Sequence, residues 1–357
     1  MNFQFLPGIA ILATLLVCLN AEAIGRRFGV MAVPDGRRKT HAVPTPQLGG
    51  VAIFSGFSLF LLGSIFLTKG ASADPILMAM LLAAGSLALV GFVDDRHEVP
   101  PVLRILLLLI SMAIAFALDP GLLSPSLHWY SFGVVSIPVW AYVPLMGVTA
   151  IGLVNSVNMA DGQNGLVGSM FVVWSACLAL VSHGTLAMAA GTLCAACLVF
   201  LAFNIQGKIF LGDCGSYGVT FALGLMVTLA HARGYLPLET VIVWFFIPVV
   251  DCLRLIITRP LRGRSLFQGG RDHFHHRLVD SMGLRLSVVV YIGAVMLSSV
   301  IATLAPRFSL VCLCALCSFY FSFAHLTDKG IGQEEGGQDS VRTDNVISMR
   351  DNHERRR

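Results

Sequence analysis

Charge is scarce in this sequence. Asp, Glu, Lys and Arg make up 12% of its 357 residues, about half the share a soluble domain carries. Hydrophobic residues make up 56%, and the mean hydropathy is +0.78. That balance excludes both a soluble globular fold and a disordered chain. No Lys or Arg precedes the first apolar run, residues 3–24, whereas Arg26-Arg27 follow it. This reverses a signal peptide's charge order, although Ala21-Glu-Ala23 could pass for a cleavage site. A disulfide framework is also missing. Cys18, Cys177, Cys194, Cys197, Cys312, Cys314 and Cys317 lie inside apolar runs and read as small packing residues. The Cys194-x-x-Cys197 pair has no polar neighbour to make it a redox or metal site. A net charge of +4 is too small to argue for nucleic acid. No repeat recurs at a solenoid period, and no loop is long enough for a soluble domain.

What is present is a series of apolar segments of membrane length. They fall near residues 3–24, 48–68, 76–93, 102–118, 139–154, 165–182, 185–203, 214–231, 236–257, 286–304 and 308–325. The expected fold is an all-α polytopic integral membrane protein of about 11 transmembrane helices, with its termini on opposite sides. Threading the chain this way puts all but Lys69, Arg233 and Arg307 of the 24 lysines and arginines on one side. By the positive-inside rule the N-terminus is outside and the C-terminus cytoplasmic. Between Asp119 and Pro138, Trp129, Tyr130, Val134, Val135 and Ile137 alternate with polar or small residues, like a short external hairpin. Residues 1–325 form the membrane domain. Residues 326–357, rich in charge and poor in apolar groups, are expected to be a disordered cytoplasmic tail.

On this topology every polar cluster faces the cytoplasm. The first loop reads Lys39-Thr-His-Ala-Val-Pro-Thr-Pro-Gln-Leu-Gly-Gly50. Its paired glycines suit close approach of a phosphate at a helix start, or simply a tight turn behind a positive anchor. Asp94-Asp95, adjacent carboxylates at a span end, suit a divalent cation or a basic neighbour, or a solvated helix end. In Asn155-Ser-Val-Asn-Met-Ala-Asp-Gly-Gln-Asn-Gly165, the residues Asn155, Asn158, Asp161 and Asn164 recur at steps of three, close to one helical face. Amide oxygens with a carboxylate suit Mg²⁺, asparagine amides can read a nucleobase, and polar glue between helices is the bland alternative. Asn204, Lys208 and Phe210-Leu-Gly-Asp-Cys-Gly-Ser216 place Asp213 between glycines, ahead of the next helix. Arg271-Asp-His-Phe-His-His-Arg277 gathers three histidines and two arginines, which favour an anion over zinc, or a solvated basic loop. Carboxylates for a metal beside cations for phosphates are what phosphoryl transfer requires. A diphosphate from the cytoplasm and a lipid phosphate from the bilayer are the expected reactants. A transporter would carry its polar groups midway through spans instead of at one end.

These motifs, taken in order from residue 35 to residue 280, resemble the polyprenyl-phosphate N-acetylhexosamine-1-phosphate transferases, the glycosyltransferase 4 or MraY-like superfamily. The histidine spacing is similar to the WecA/TagO-type branch. The resemblance implies transfer of N-acetylhexosamine-1-phosphate, first of all GlcNAc-1-phosphate, from a UDP-N-acetylhexosamine to undecaprenyl phosphate. UMP is released, and the product starts a cell-surface glycan such as a cell-wall polymer or lipopolysaccharide O-antigen. The alternative is the peptidoglycan-type phospho-MurNAc-pentapeptide transferase. It further implies Mg²⁺, with Mn²⁺ able to substitute, held by Asn158 and Asp213. Asp94, Asp95, Asp161, His273, His275 and His276 would be catalytic, and Lys39, His41, Asn164, Lys208, Phe210 and Arg271 would bind substrate. The setting is a bacterial inner (plasma) membrane among its lipids, with a homodimer as one arrangement and no nucleic acid. Many bacterial relatives have Asp-Gly-x-Asp-Gly where this chain has Asp161-Gly-Gln-Asn-Gly165, and eukaryotic members carry Asn there.

Overall fold

A chain of apolar runs can satisfy its backbone in lipid chiefly by forming helices, and the computed structural model of this protein is mostly helical. It describes residues 5–34, 43–68, 74–261, 263, 265, 270 and 272–324. Lys39, His41, Arg271 and the expected tail lie outside these residues.

Helix α1 (Leu6–Leu19) bends by 66° into α2 (Ala21–Phe28). A short antiparallel ribbon of β1 (Met31–Ala32) and β2 (Thr45–Pro46) then leads to α3 (Gly49–Leu67). Asp74 caps α4 (Pro75–Ala79), its carboxylate accepting from the Ile76 amide with Pro75 in the first turn. A π-turn over Met80–Ala84 joins α4 to α5 (Gly85–Arg96) in one span, and α6 (Pro101–Leu118) starts on another proline. The expected hairpin follows as β3 (Ser126–Trp129) and β4 (Gly133–Ser136), with Ser126 opposite Ser136 and Trp129 opposite Gly133. Next come α7 (Val139–Ala160), α8 (Leu166–Val181), α9 (Gly184–Asn204), α10 (Gly212–Ala232) and α11 (Leu238–Leu261). The amphipathic α12 (Phe274–Met282) precedes α13 (Leu284–Leu304) and α14 (Pro306–Ala324).

Among the described residues nine helices are long and apolar enough to cross a membrane, or ten if the bent α1–α2 pair is one span. The remaining expected span, α8, has 16 residues, short of the roughly 20 that cross without thinning. Large apolar side chains such as Phe66 and Val148 stand exposed around the bundle, as a lipid-facing surface requires. Two boundaries differ from the apolar runs. Helix α5 continues through Asp94 and Asp95 to Arg96, and α7 through Asn155 and Asn158 to Ala160. Both polar groups therefore ride on final helical turns, not in loops.

Helix α10 is the most enclosed of these spans, and small residues explain how its neighbours reach it. A methyl group on Gly218 would sit 2.5 Å from the Ala88 Cβ, one on Gly91 would strike the Asp213 carbonyl, and one on Gly50 would strike the Gly215 backbone. Helices α3 and α5 thus approach α10 backbone to backbone, the small-residue packing of membrane helices. This corrects the phosphate-cradle expectation for the Gly49-Gly50 pair. Their amides donate to the carbonyls of Phe210 and Leu211, each at 2.8 Å, so neither amide is free to meet a ligand.

Candidate active site

The close approach of α5 to α10 brings the acidic pair onto the start of α10. The Asp95 carboxylate accepts the Asp213 amide at 2.8 Å and the Cys214 amide at 3.1 Å, together with the Gln47 side chain at 3.2 Å. It caps from another helix two of the amides that a helix start leaves without partners. Gly212 makes room. Its φ is +74°, and a Cβ there would lie 2.7 Å from an Asp95 oxygen. Asp94, also on the last turn of α5, is buried. It accepts the Val99 amide and the Tyr217 hydroxyl, each at 2.8 Å, and pairs with Arg104 at 2.9 Å. Arg104 also donates to the Tyr217 hydroxyl at 3.0 Å and to the Val99 carbonyl at 2.7 Å.

Asp213, in the first turn of α10, receives the Asn158 amide at 2.6 Å, and the same amide reaches the Ser216 hydroxyl at 2.9 Å. The step-of-three pattern holds for this one contact and then breaks. Asn155 is exposed and donates back to the Ile151 carbonyl, α7 ends at Ala160, and Asn164 is exposed beside Gly207. Asp161 follows the end of α7. Protein atoms crowd it and the Asp213 charge adds repulsion, together raising its carboxyl to about 7, although part of its surface still meets solvent. Asp94, Asp95, Asp161 and Asp213 thus gather at one end of the bundle. Among the described residues Arg104 is the cation that ion-pairs with them.

That surplus of hard oxygen donors fits Mg²⁺. The described residues contain no group of three His, Cys, Asp or Glu spaced to hold a metal, whereas Mg²⁺ is commonly bound through one or two carboxylates, waters and substrate phosphates. Turning the Asn158 amide over would exchange its donor for an acceptor facing the same space.

The histidine helix closes over the central loop. Gln163 donates to the His275 carbonyl at 3.1 Å, and the His275 ring lies directly against Gly162, whose missing side chain leaves the space for it. Burial, then the neighbouring His276 and His273, push the His275 pKa down to about 3, so this ring is neutral. The anion-binding expectation therefore cannot rest on charge at His275. Its buried Nε2 has no hydrogen-bond partner among the described residues. His273 and His275 stack with centroids 5.5 Å apart, and the His276 ring lies tilted against His275 at 4.2 Å. Arg277 is buried and spent on the Ala324 and Asp272 carbonyls. Lys208 is exposed and Phe210 half-buried on the loop before α10. Asn204 ties this loop to the central one, accepting the Gly165 amide at 2.6 Å and donating to the Ile209 carbonyl at 2.8 Å.

The structure thus brings Asp94, Asp95, Asn158, Asp161 and Asp213 together, docks His275 on their loop, and sets Asn164 beside the loop of Lys208 and Phe210. Sequence reasoning missed Tyr217, counted Arg104 only as a topology cation, and overlooked Asp251, a carboxylate inside an apolar run. The last carried a readable signal, since an ionisable residue within a span is a site by default.

Residues 77–231, spanning all of the gathered carboxylates but not the histidine helix, match the family described as glycosyl transferase family 4. The chain is 26% identical over 308 residues to the decaprenyl-phosphate N-acetylglucosaminephosphotransferase of Mycobacterium tuberculosis, covering 75% of this chain and 74% of that one. It is 26% identical over 344 residues to the undecaprenyl-phosphate alpha-N-acetylglucosaminyl 1-phosphate transferase of Salmonella typhi, covering 89% of each. A phospho-N-acetylmuramoyl-pentapeptide-transferase of Caldicellulosiruptor bescii is 27% identical over 300 residues, 76% of this chain and 86% of that one. Residues 77–231 thus resemble glycosyl transferase family 4, and the chain, with nine helices among its described residues long and apolar enough to cross a membrane, is similar over most of its length to proteins named as polyprenyl-phosphate N-acetylglucosamine-phosphotransferases.

Proposed function

We propose that this protein transfers N-acetylhexosamine-1-phosphate, with GlcNAc as the sugar, from a UDP-sugar to undecaprenyl phosphate at the cytoplasmic face of a bacterial inner membrane. A phosphate oxygen of the lipid forms a new bond to the sugar-bearing phosphorus. The bond from that phosphorus to the bridging oxygen breaks, and UMP leaves with the bridging oxygen. The observation that carries this reading is the meeting of Asn158, Asp161 and Asp213 with the Asp94–Arg104 pair at one end of the bundle.

Asn158 and Asp213 would hold Mg²⁺, which when bound neutralises diphosphate charge and stabilises the leaving phosphate. Asp161, with its carboxyl near 7, is poised to take or hold a proton beside the attacking lipid phosphate. Asp94 fixes Arg104 and Tyr217 near the same phosphate. Asp95 holds the start of α10, and so Asp213, in place. Neutral His275 keeps the central loop closed against α12, with His276 beside it facing the sugar diphosphate. Asn164 and Phe210 border the uracil, by amide hydrogen bonds and stacking, and Lys208 supplies positive charge nearby; Lys39, His41 and Arg271, outside the described residues, are the further substrate-binding residues of this reading. The direction of the bundle follows the cationic loops.

The homologous muramoyl-pentapeptide transferase supports a second reading with the same chemistry on a larger donor. UMP release by the purified protein in detergent separates the two. Undecaprenyl phosphate is supplied with UDP-GlcNAc, UDP-GalNAc or UDP-MurNAc-pentapeptide, with and without Mg²⁺. Metal-dependent release with UDP-GlcNAc is expected. Release with the pentapeptide donor alone would establish the second reading, and no release with any donor from folded protein would overturn both.

A further inference from the structure

Helix α11 carries a buried carboxylate that none of the proposed steps uses. The Oδ1 of Asp251 accepts from the Tyr320 hydroxyl and from Arg254, each at 2.8 Å. Its Oδ2 accepts the Phe274 amide at 3.1 Å and lies 3.4 Å from the His273 ring nitrogen Nδ1. A carboxylate is costly at such a place unless several donors satisfy it. These donors come from separate elements. Arg254 is one turn along α11, Phe274 opens α12, and Tyr320 belongs to α14. Arg254 also donates to the Asp272 carbonyl at 2.6 Å and to the Tyr320 oxygen at 2.7 Å. His273, the N-cap of α12, makes no side-chain cap, so Asp251 caps the helix from outside. The ring that then docks on Gly162 is His275, on the first turn of that helix.

We propose that Asp251, braced by Arg254 and Tyr320, is the positioning residue that sets the histidine helix over the central loop and so aligns His275 and His276 for the transfer. The assignment rests on the reaction proposed above. It gives the last helix a part in the site, although that helix lies outside the matched family segment. The geometry demands a carboxylate. Oδ1 faces the Tyr320 hydroxyl and Arg254 and Oδ2 faces the Phe274 amide, so an asparagine must turn its own NH₂ against donors on one side or the other.

Two readouts test it. The first needs no activity. Hydrogen exchange of the intact protein in detergent should show the amides of residues 274–277 exchanging at least about tenfold faster in Asp251→Asn, as expected when a charged cap is lost, with α3 and α10 unchanged. Wild-type exchange in α12 would overturn the proposal. The second is a double-mutant cycle on UMP release. Asp251→Asn alone should lower kcat by about 10- to 100-fold, the usual cost of removing an outer hydrogen-bond partner. Added to His275→Ala it should cost less than about threefold more, because its effect passes through the histidine helix. Losses that simply multiply would mark a general structural role and refute positioning. If Asp251→Asn does not fold, Tyr320→Phe removes one donor and should move both readouts in the same direction by less. A wild-type protein inactive with every donor would sink the reaction, and hydrogen exchange would still decide the role of Asp251.

Discussion

Replacing Asp95 by Asn separates a capping role from a chemical one. In the wild type the two Asp95 oxygens divide between the Asp213 amide at 2.8 Å and the Cys214 amide at 3.1 Å, with Gln47 on the first. An asparagine keeps one acceptor and turns an NH₂ toward the other amide, so one charge-assisted hydrogen bond is lost and two donors are opposed. The first costs about 1.5–3 kcal/mol. Loss of a negative charge at the start of α10 adds about 0.3–1 kcal/mol at a half-exposed site. Together the change should destabilise the protein by about 2–4 kcal/mol. Asp213→Asn is the comparison. It caps no other helix, and removing its charge relieves repulsion among neighbouring carboxylates. Thermal unfolding in detergent, followed by tryptophan fluorescence, should therefore show a Tm several degrees lower for Asp95→Asn and an unchanged or higher Tm for Asp213→Asn. UMP release should fall in both. An Asp95→Asn protein with wild-type Tm and no turnover would refute the cap and return Asp95 to a direct role at the lipid phosphate.

Three further outcomes are expected. Because burial raises the Asp161 carboxyl to about 7 in the folded protein, its protonated form contributes stability that is complete below about pH 4 and is lost as pH rises to about 7; Asp161→Asn should flatten Tm against pH over that window, and parallel profiles for the two proteins would contradict the shift. Gly162→Ala would drive a methyl group into the His275 ring and lift α12 from the central loop, so kcat should drop at least about tenfold, by the logic of overpacking a tight contact, and an unchanged kcat would show that the docking is dispensable. Phe210→Ala should weaken UMP binding by about 1–3 kcal/mol if the ring stacks on uracil; calorimetry with UMP measures it, and an unaltered Kd rules out stacking.

How much of this was legible beforehand depended on the kind of signal. Hydropathy runs mark the spans because the penalty for an unsatisfied backbone in lipid is large and local. The hairpin at residues 126–136 showed in the alternation of its large residues with polar or small ones. The apolar runs stop short of the helix ends because Asp94, Asp95 and Asn158 are polar without leaving the helix, and their partners on α10 explain why they stay there. The glycines misled for the opposite reason. Gly49 and Gly50 look like a phosphate loop in one dimension, whereas in three they are the place where α3 meets α10.

The same contacts explain why the site could not be assembled from its motifs alone. Three of the four carboxylates are held by partners on other helices. Asp94 has Tyr217 and Arg104, Asp95 has the amides of Asp213 and Cys214, and Asp213 has Asn158. What brings them within reach is the absence of side chains at Gly50, Gly91, Gly215 and Gly218, which lets three helices share one narrow crossing. A larger residue at any of these four positions would disperse carboxylates that it does not touch. The packing of α10 and the charge density of the site are therefore one feature. Substitutions at the glycine crossing should lower stability and turnover together, whereas changes at Asp213 should lower turnover alone.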